Sequence, residues 1–201
     1  MKLNRLVVPI YHFLFALASS VVGAMIVSWP LLALFVLVQK TYETVKLSVA
    51  QVMANYNQLL WYLIWPFKKT LQMTNFPTSP RAAVHFAACK QLFLLAIVVF
   101  LGCLVFQWYQ NHHGNKKRWA LSKTTSLVLL LLPIMVLPFA LSNFDAFFVA
   151  FHHLLFDNSD WLFDSVTDPI INVLTEGFFS ACFAVAGIIY ELYFAEKLLS
   201  R

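Results

Sequence analysis

The stretch VHFAACKQLFLLAIVVFLGCLVFQW, residues 84–108, decides what kind of protein this is. From Gln91 to Trp108 it carries no charged side chain. A helix needs about 20 such residues to cross the hydrocarbon of a bilayer. Three more apolar runs, at 6–38, 125–141 and 170–192, have comparable character. The sequence therefore predicts an all-α integral membrane protein: four transmembrane helices in a single membrane domain over 1–201, with helices or loops at the extracytoplasmic interface.

Composition agrees. The chain is 61% hydrophobic and 11% charged, against roughly 25% charged residues in soluble domains. Its 20 Phe and 6 Trp suit lipid and its interfaces. The formal charge of +5 is spread over the flanks of apolar runs, where anionic headgroups are the natural partner and nucleic acid is not. Cys89, Cys103 and Cys182 lie in apolar segments without CxxC spacing and read as small buried hydrophobes. The basic, then apolar start resembles a secretory signal, yet its apolar run outlasts the roughly 7 to 15 residues of one. An uncleaved first helix is expected, with Pro30 as a point where it kinks or ends.

Residues 45–67 mix Gln51, Asn55, Asn57 and Gln58 with Val52, Leu59 and Trp61, the pattern of an amphipathic helix on the membrane or along a cavity. Orientation follows from basic residues near the spans. Lys2 and Arg5, then Lys116, Lys117, Arg118 and Lys123, then Lys197 and Arg201 put both termini and residues 109–124 in the cytoplasm. Residues 39–83 and 142–169 are then extracytoplasmic. The second of these holds Asp145, Asp157, Asp160, Asp164 and Asp168 without Lys or Arg. Lys40, Lys46, Lys68, Lys69 and Arg81 in the first run against this orientation.

Two polar clusters fall on that outer side. In the first, Thr78 or Ser79 before Pro80 suits a helix start, which places His85 at headgroup depth and Lys90 deeper on another face. The second runs from Phe151 to Asp164, with His152, His153 and Asp157 among aromatic residues, as expected of a re-entrant or interface-hugging segment. Imidazole exchanges protons near neutral pH, so these histidines are candidates for acid–base work. Each cluster taken alone also suits a solvated structural loop. A metal site from His85, His152 or His153 and one Asp is the weaker reading, because no HExxH is present. His112 and His113 suit headgroup contact, and His12 a structural place.

The second cluster, Phe-His-x-Leu-x-Phe-x-Asn-x-x-Trp-x-Phe at 151–163, continues into Asp168-Pro169-Ile170-Ile171. With Phe76-Pro77-x-Ser79 and His85-Phe86-x-x-x-Lys90-x-x-Phe93, it resembles the lipoprotein intramolecular transacylases (Lit) of Gram-positive bacteria over most of the chain. Two positions depart from the pattern: Ala88 replaces the acid that usually precedes a Val-Lys pair, here Cys89-Lys90, and Thr175 stands for a usual Pro.

The resemblance implies an acyltransferase of the cell membrane. Its partners would be membrane lipids and a diacylglyceryl lipoprotein, whose sn-2 acyl chain passes to the α-amine of the N-terminal cysteine; no cofactor, no metal and no nucleic acid are implied, and the unit is expected to be a monomer. Physical reasoning then assigns His85 and His152 to share the base and acid roles, His152 taking the motif position over His153. Lys90, Asn158 and Tyr56 are candidate oxyanion donors, and Trp161 and Asp168 further substrate-binding candidates. A different lipid acyltransferase or lipase, or a non-enzymatic assembly subunit, are the competing readings.

Overall fold

The computed structural model describes residues 4–114 and 119–200, and every regular element among them is helical. Of the residues used above for orientation, Lys2, Lys116, Lys117, Arg118, Arg201 and the Arg5 side chain lie outside the described residues. The elements are α1 (Asn4–Gln39), α2 (Thr41–Thr44), α3 (Val49–Ile64), α4 (Pro80–His112), α5 (Lys123–Ser142), α6 (Phe144–Leu155), a 3₁₀ turn (Pro169–Asn172) and α7 (Glu176–Leu199).

Helices α1, α4, α5 and α7 are long and apolar enough to cross a membrane. Their outer positions are apolar too: Ile26, Val98 and Leu192 are 69%, 66% and 64% exposed. Water would penalise that surface, whereas lipid solvates it, and a helix satisfies its own backbone groups there. The absence of competing water also explains why proline does not end these helices. Pro30 lies inside α1, and Pro133 and Pro138 lie inside α5. At 36 residues, α1 is roughly 54 Å long, well beyond a hydrocarbon core of about 30 Å. Helix α4 starts at Pro80, the start expected for it, ahead of the apolar run from 84, and α7 starts at Glu176, within the run from 170. Pro169 opens a separate 3₁₀ turn, and the Thr175 hydroxyl accepts from Phe178 N and donates to Gln39.

The chain divides into two compact units, one drawn from residues 1–25, 95–138 and 183–201, the other from 26–94 and 139–182. In the first, Ala16, Tyr190 and Phe194 form a small core. His12 sits beside it with both ring nitrogens engaged, by the Tyr193 hydroxyl and the Trp119 carbonyl. That is the structural place expected of it.

The second unit has the larger core, centred on Leu32, Val36, Val52, Leu59, Ile170 and Val173. Helix α3 enters it through a capping box: Ser48 Oγ accepts from Gln51 N, and the Gln51 side chain accepts from Ser48 N. Val52, Tyr56, Leu59 and Leu63 face the core at helical spacing, while Ala54, Asn57 and Trp61 are exposed. The polar residues expected to line an amphipathic face are split. Asn55, fully buried, exchanges amide hydrogen bonds with Asn75, and Gln58 binds Thr74 through both its side-chain atoms. Both clamp residues 65–79 onto α3, and unmet amides in such a core would be costly.

The segment expected to hug the interface irregularly from Phe151 is, up to Leu155, the end of helix α6. Asn143 caps this helix by accepting from Ala146 N. With 12 residues it is too short to span.

Candidate active site

Two helices of the larger unit supply the histidines. Helix α4 is started by Ser79, whose hydroxyl accepts from Ala82 N at 3.1 Å. Its first turn is held from outside the helix. Asp168, buried, accepts from Ser79 N through Oδ1 at 2.7 Å and from the Thr167 hydroxyl through Oδ2 at 3.0 Å. Arg81 pairs with Asp160 at 3.2 Å and donates to the Ser159 carbonyl at 2.7 Å. These ties hold the start of α4 against residues 159–168, and His85 follows one turn later.

His85 and His152 are each 7% exposed, and their ring centroids lie 5.7 Å apart. Around them stand Phe156 at 4.9 Å and Phe163 at 5.5 Å from His85, with Phe148 at 4.1 Å and Trp161 at 4.7 Å from His152. His152 Nδ1 lies 2.8 Å from the Phe148 carbonyl oxygen. A carbonyl only accepts, so Nδ1 carries the hydrogen and Nε2 keeps its lone pair. Burial among these rings pulls the His152 pKa below its ordinary value, partly opposed by the Phe148 carbonyl. At pH 7 the ring is neutral, the state a base needs. His85 Nε2 lies 3.3 Å from Cys89 Sγ, and His85 Nδ1 is buried without a partner among the described residues.

Residues 6–179 match the family model described as lipoprotein intramolecular transacylase Lit. The chain belongs to that family. No curated protein matches it. Among solved structures, the membrane-integral Lit from Bacillus cereus shares 22% identity at a TM-score of 0.80, over 98% of this chain and 93% of that one. Two structures of the Bacillus cereus protein with a histidine replaced, one by arginine and one by alanine, match at 21% identity and a TM-score of 0.72. Each covers 98% of this chain, and the chain covers 89% and 90% of them. At such identity these likenesses establish the fold. The family makes the chain a membrane-integral acyltransferase with a lipoprotein substrate.

Within this Lit fold, several of the other candidate residues make contacts of their own. Tyr56 donates to Ser28 Oγ at 2.7 Å. Asn158 closes its own loop, accepting from Asp160 N through Oδ1 and from Trp161 Nε1 through its carbonyl. Lys90, predicted to project deeper on another face, is buried with its ammonium on the Lys68 carbonyl and over the Tyr62 ring. His153 is exposed, edge-on to Trp161. Among the described residues, no three His, Cys, Asp or Glu side chains gather as a metal cluster. Two participants were given no role in the sequence reading: Arg81, and Cys89 as a partner of His85. The i, i+4 spacing of His85 and Cys89 was a usable signal for the second. Nothing local signals that Arg81 meets Asp160.

The Lys90 contact makes a prediction. Lys90→Met keeps the length of the side chain and removes a charged hydrogen bond, worth roughly 1.5–3 kcal/mol. The thermal midpoint in detergent should fall, and amides of residues 66–72 should exchange faster with solvent. An unchanged midpoint and exchange rate would show that the ammonium is not needed to hold this segment.

Proposed function

We propose that this transacylase moves the sn-2 acyl chain of a diacylglyceryl lipoprotein from the glyceryl oxygen to the α-amine of the lipoprotein's N-terminal cysteine, leaving an N-acyl, lyso-form product. The observation that carries the reading is the buried pair of imidazoles on two different helices, one with Nδ1 held by a carbonyl and no hydrogen-bond partner for Nε2 among the described residues. Ester aminolysis needs a neutral amine, a stabilised oxyanion and a proton for the leaving alkoxide. An α-amine has a pKa near 8, so an imidazole removes its proton at modest cost. His85 and His152 share this acid–base work. Because ester and amine belong to one substrate molecule, folding its head into an attack geometry supplies much of the catalysis. Trp161 walls the His152 ring, and Asp168, Asn158, Lys90 and Tyr56 contribute by holding the frame around substrate and oxyanion.

The site lies at the outer-leaflet interface, with both termini cytoplasmic and the chain acting as a monomer. Two observations support the side. Residues 142–169 are acidic and lack Lys and Arg. The Arg81–Asp160 pair and the Asp168–Ser79 bond bring the first and third connections to one side.

Mass spectrometry of one model diacylglyceryl lipoprotein, with and without the purified full chain in lipid, tests the function. The expected product has unchanged total mass, an amide-linked acyl chain on the cysteine and a free glyceryl hydroxyl. Free fatty acid would identify a lipase, and no change of the lipoprotein would point to an assembly subunit.

A further inference from the structure

We infer that Cys89 fixes His85 as the neutral tautomer with its hydrogen on Nδ1, so that His152 carries the proton while His85 donates a hydrogen bond to the ester oxygen. This rests on the reading of the two histidines above and narrows it: both serve the reaction, His152 by moving the proton and His85 by binding the developing oxyanion.

The argument starts at the thiol. Cys89 Sγ is 3.3 Å from His85 Nε2, one helical turn along α4. An S–H group is a weak donor and sulfur a weak acceptor, whereas an unprotonated imidazole nitrogen is a good acceptor. The favoured pairing is therefore S–H to Nε2, which leaves the ring hydrogen on Nδ1. The bonds from the two nitrogens diverge around the ring, so Nδ1 points away from the thiol. It is buried and unpartnered among the described residues, in a residue only 7% exposed. A buried donor without an acceptor calls for an explanation, and in a reaction site the natural one is a ligand oxygen.

His152 has the opposite polarity. Its Nδ1–H is spent on the Phe148 carbonyl, so it offers a lone pair at Nε2. The neighbouring rings thus present one acceptor and one donor. A neutral imidazole N–H is an effective electrophile beside a carbonyl in a site shielded from water.

The step balances with these groups. The substrate amine attacks the sn-2 ester carbon, forming the N–C bond, and the carbonyl electron pair moves to oxygen, which His85 Nδ1–H binds. His152 Nε2 takes the amine proton. The C–O bond to glyceryl then breaks, and the proton passes from His152 to the departing oxygen. Both histidines end neutral.

Cys89 occupies the place of a usual Val in the family's Val-Lys pair, so the thiol tunes the site rather than creates it. As a positioning residue it has a graded test. In the full chain, Cys89→Ala and Cys89→Val should lower kcat about three- to tenfold with KM unchanged, the scale of one modest hydrogen bond. Cys89→Ser, which restores a donor, should stay within about twofold of wild type. Nitrogen-15 NMR of histidine-labelled protein in detergent reads the tautomer directly: a protonated Nδ1 and unprotonated Nε2 for His85 in wild type, with the two signals moving together in Cys89→Ala. A His85 protonated on Nε2 in wild type, or unaltered by Cys89→Ala, overturns the role of Cys89 and leaves the histidine reading intact. An acyl thioester on Cys89 in enzyme quenched during turnover overturns it by making the thiol a nucleophile. Wild-type activity in His85→Ala overturns the histidine reading itself.

Discussion

His152→Ala is expected to lower transacylation at least a hundredfold while the protein still inserts and purifies at normal yield. The expected loss is the usual scale for an acid–base group. The reasoning is specific to this side chain. Its Nδ1–H is held by the Phe148 carbonyl, its Nε2 has no hydrogen-bond partner among the described residues, and Trp161 and Phe148 pack against the ring. Alanine removes the base; His153 is exposed and does not face the site, and the Nε2 of neighbouring His85 is already engaged by Cys89. The pH dependence follows from burial. Since the His152 pKa is lowered from 6.5, the neutral base persists at pH values where a free imidazole would be charged. The acidic limb of the kcat profile should therefore fall below pH 6.5. Activity within a few-fold of wild type for His152→Ala, or an acidic limb above pH 6.5, would remove this residue from the mechanism.

The second large effect is expected at Asp168. Its carboxylate accepts from Ser79 N and from the Thr167 hydroxyl, and it sits at the start of α4, where a negative charge is favoured by the helix dipole. Asp168→Ala strips the partner from an amide in the first turn and should cost about 2–3 kcal/mol, as for charged hydrogen bonds. Activity should fall with stability, because the same turn sets the position of His85. Asp168→Asn keeps an oxygen for Ser79 and can present its amide to Thr167, so it should lose about 1 kcal/mol or less, chiefly the charge–dipole part. Thermal midpoints in detergent, measured beside transacylation rates, check the order. Equal midpoints for wild type and Asp168→Ala would show that the carboxylate is not a tether and return it to the substrate-binding candidates.

The four spanning helices were legible because hydropathy is a one-dimensional property: a run such as 91–108 contains its own evidence. The start of α4 was legible for a similar reason, since Ser79 and Pro80 act on the turn they begin. Helix α6 was harder. The interface segment was read from Phe151 onward, which cuts through this helix of Phe144 to Leu155 and leaves its first two turns unassigned. The amphipathic pattern of α3 was legible, but the partners of two of its polar residues were not, because Asn55 and Gln58 meet Asn75 and Thr74 across a loop. The partner of Lys90 was out of reach in the same way: the Lys68 carbonyl that receives it is a backbone atom, which no residue type announces. The pairing of His85 with His152 came from family resemblance, and spacing along the chain could not have supplied it.

The contact between His152 and the Phe148 carbonyl has an evolutionary consequence. In helix geometry that oxygen also receives the backbone N–H of His152, so the ring is braced by the turn of helix that carries it. Bases in many enzymes depend on a separate carboxylate, and a single codon change can remove it. Here the orienting acceptor belongs to the main chain, and any residue at 148 that keeps the helix provides it. The hydrogen bond that sets the tautomer is thus buffered against any substitution that keeps the helix, while the packing of Phe148 and Trp161 on the ring is the part that substitution can alter.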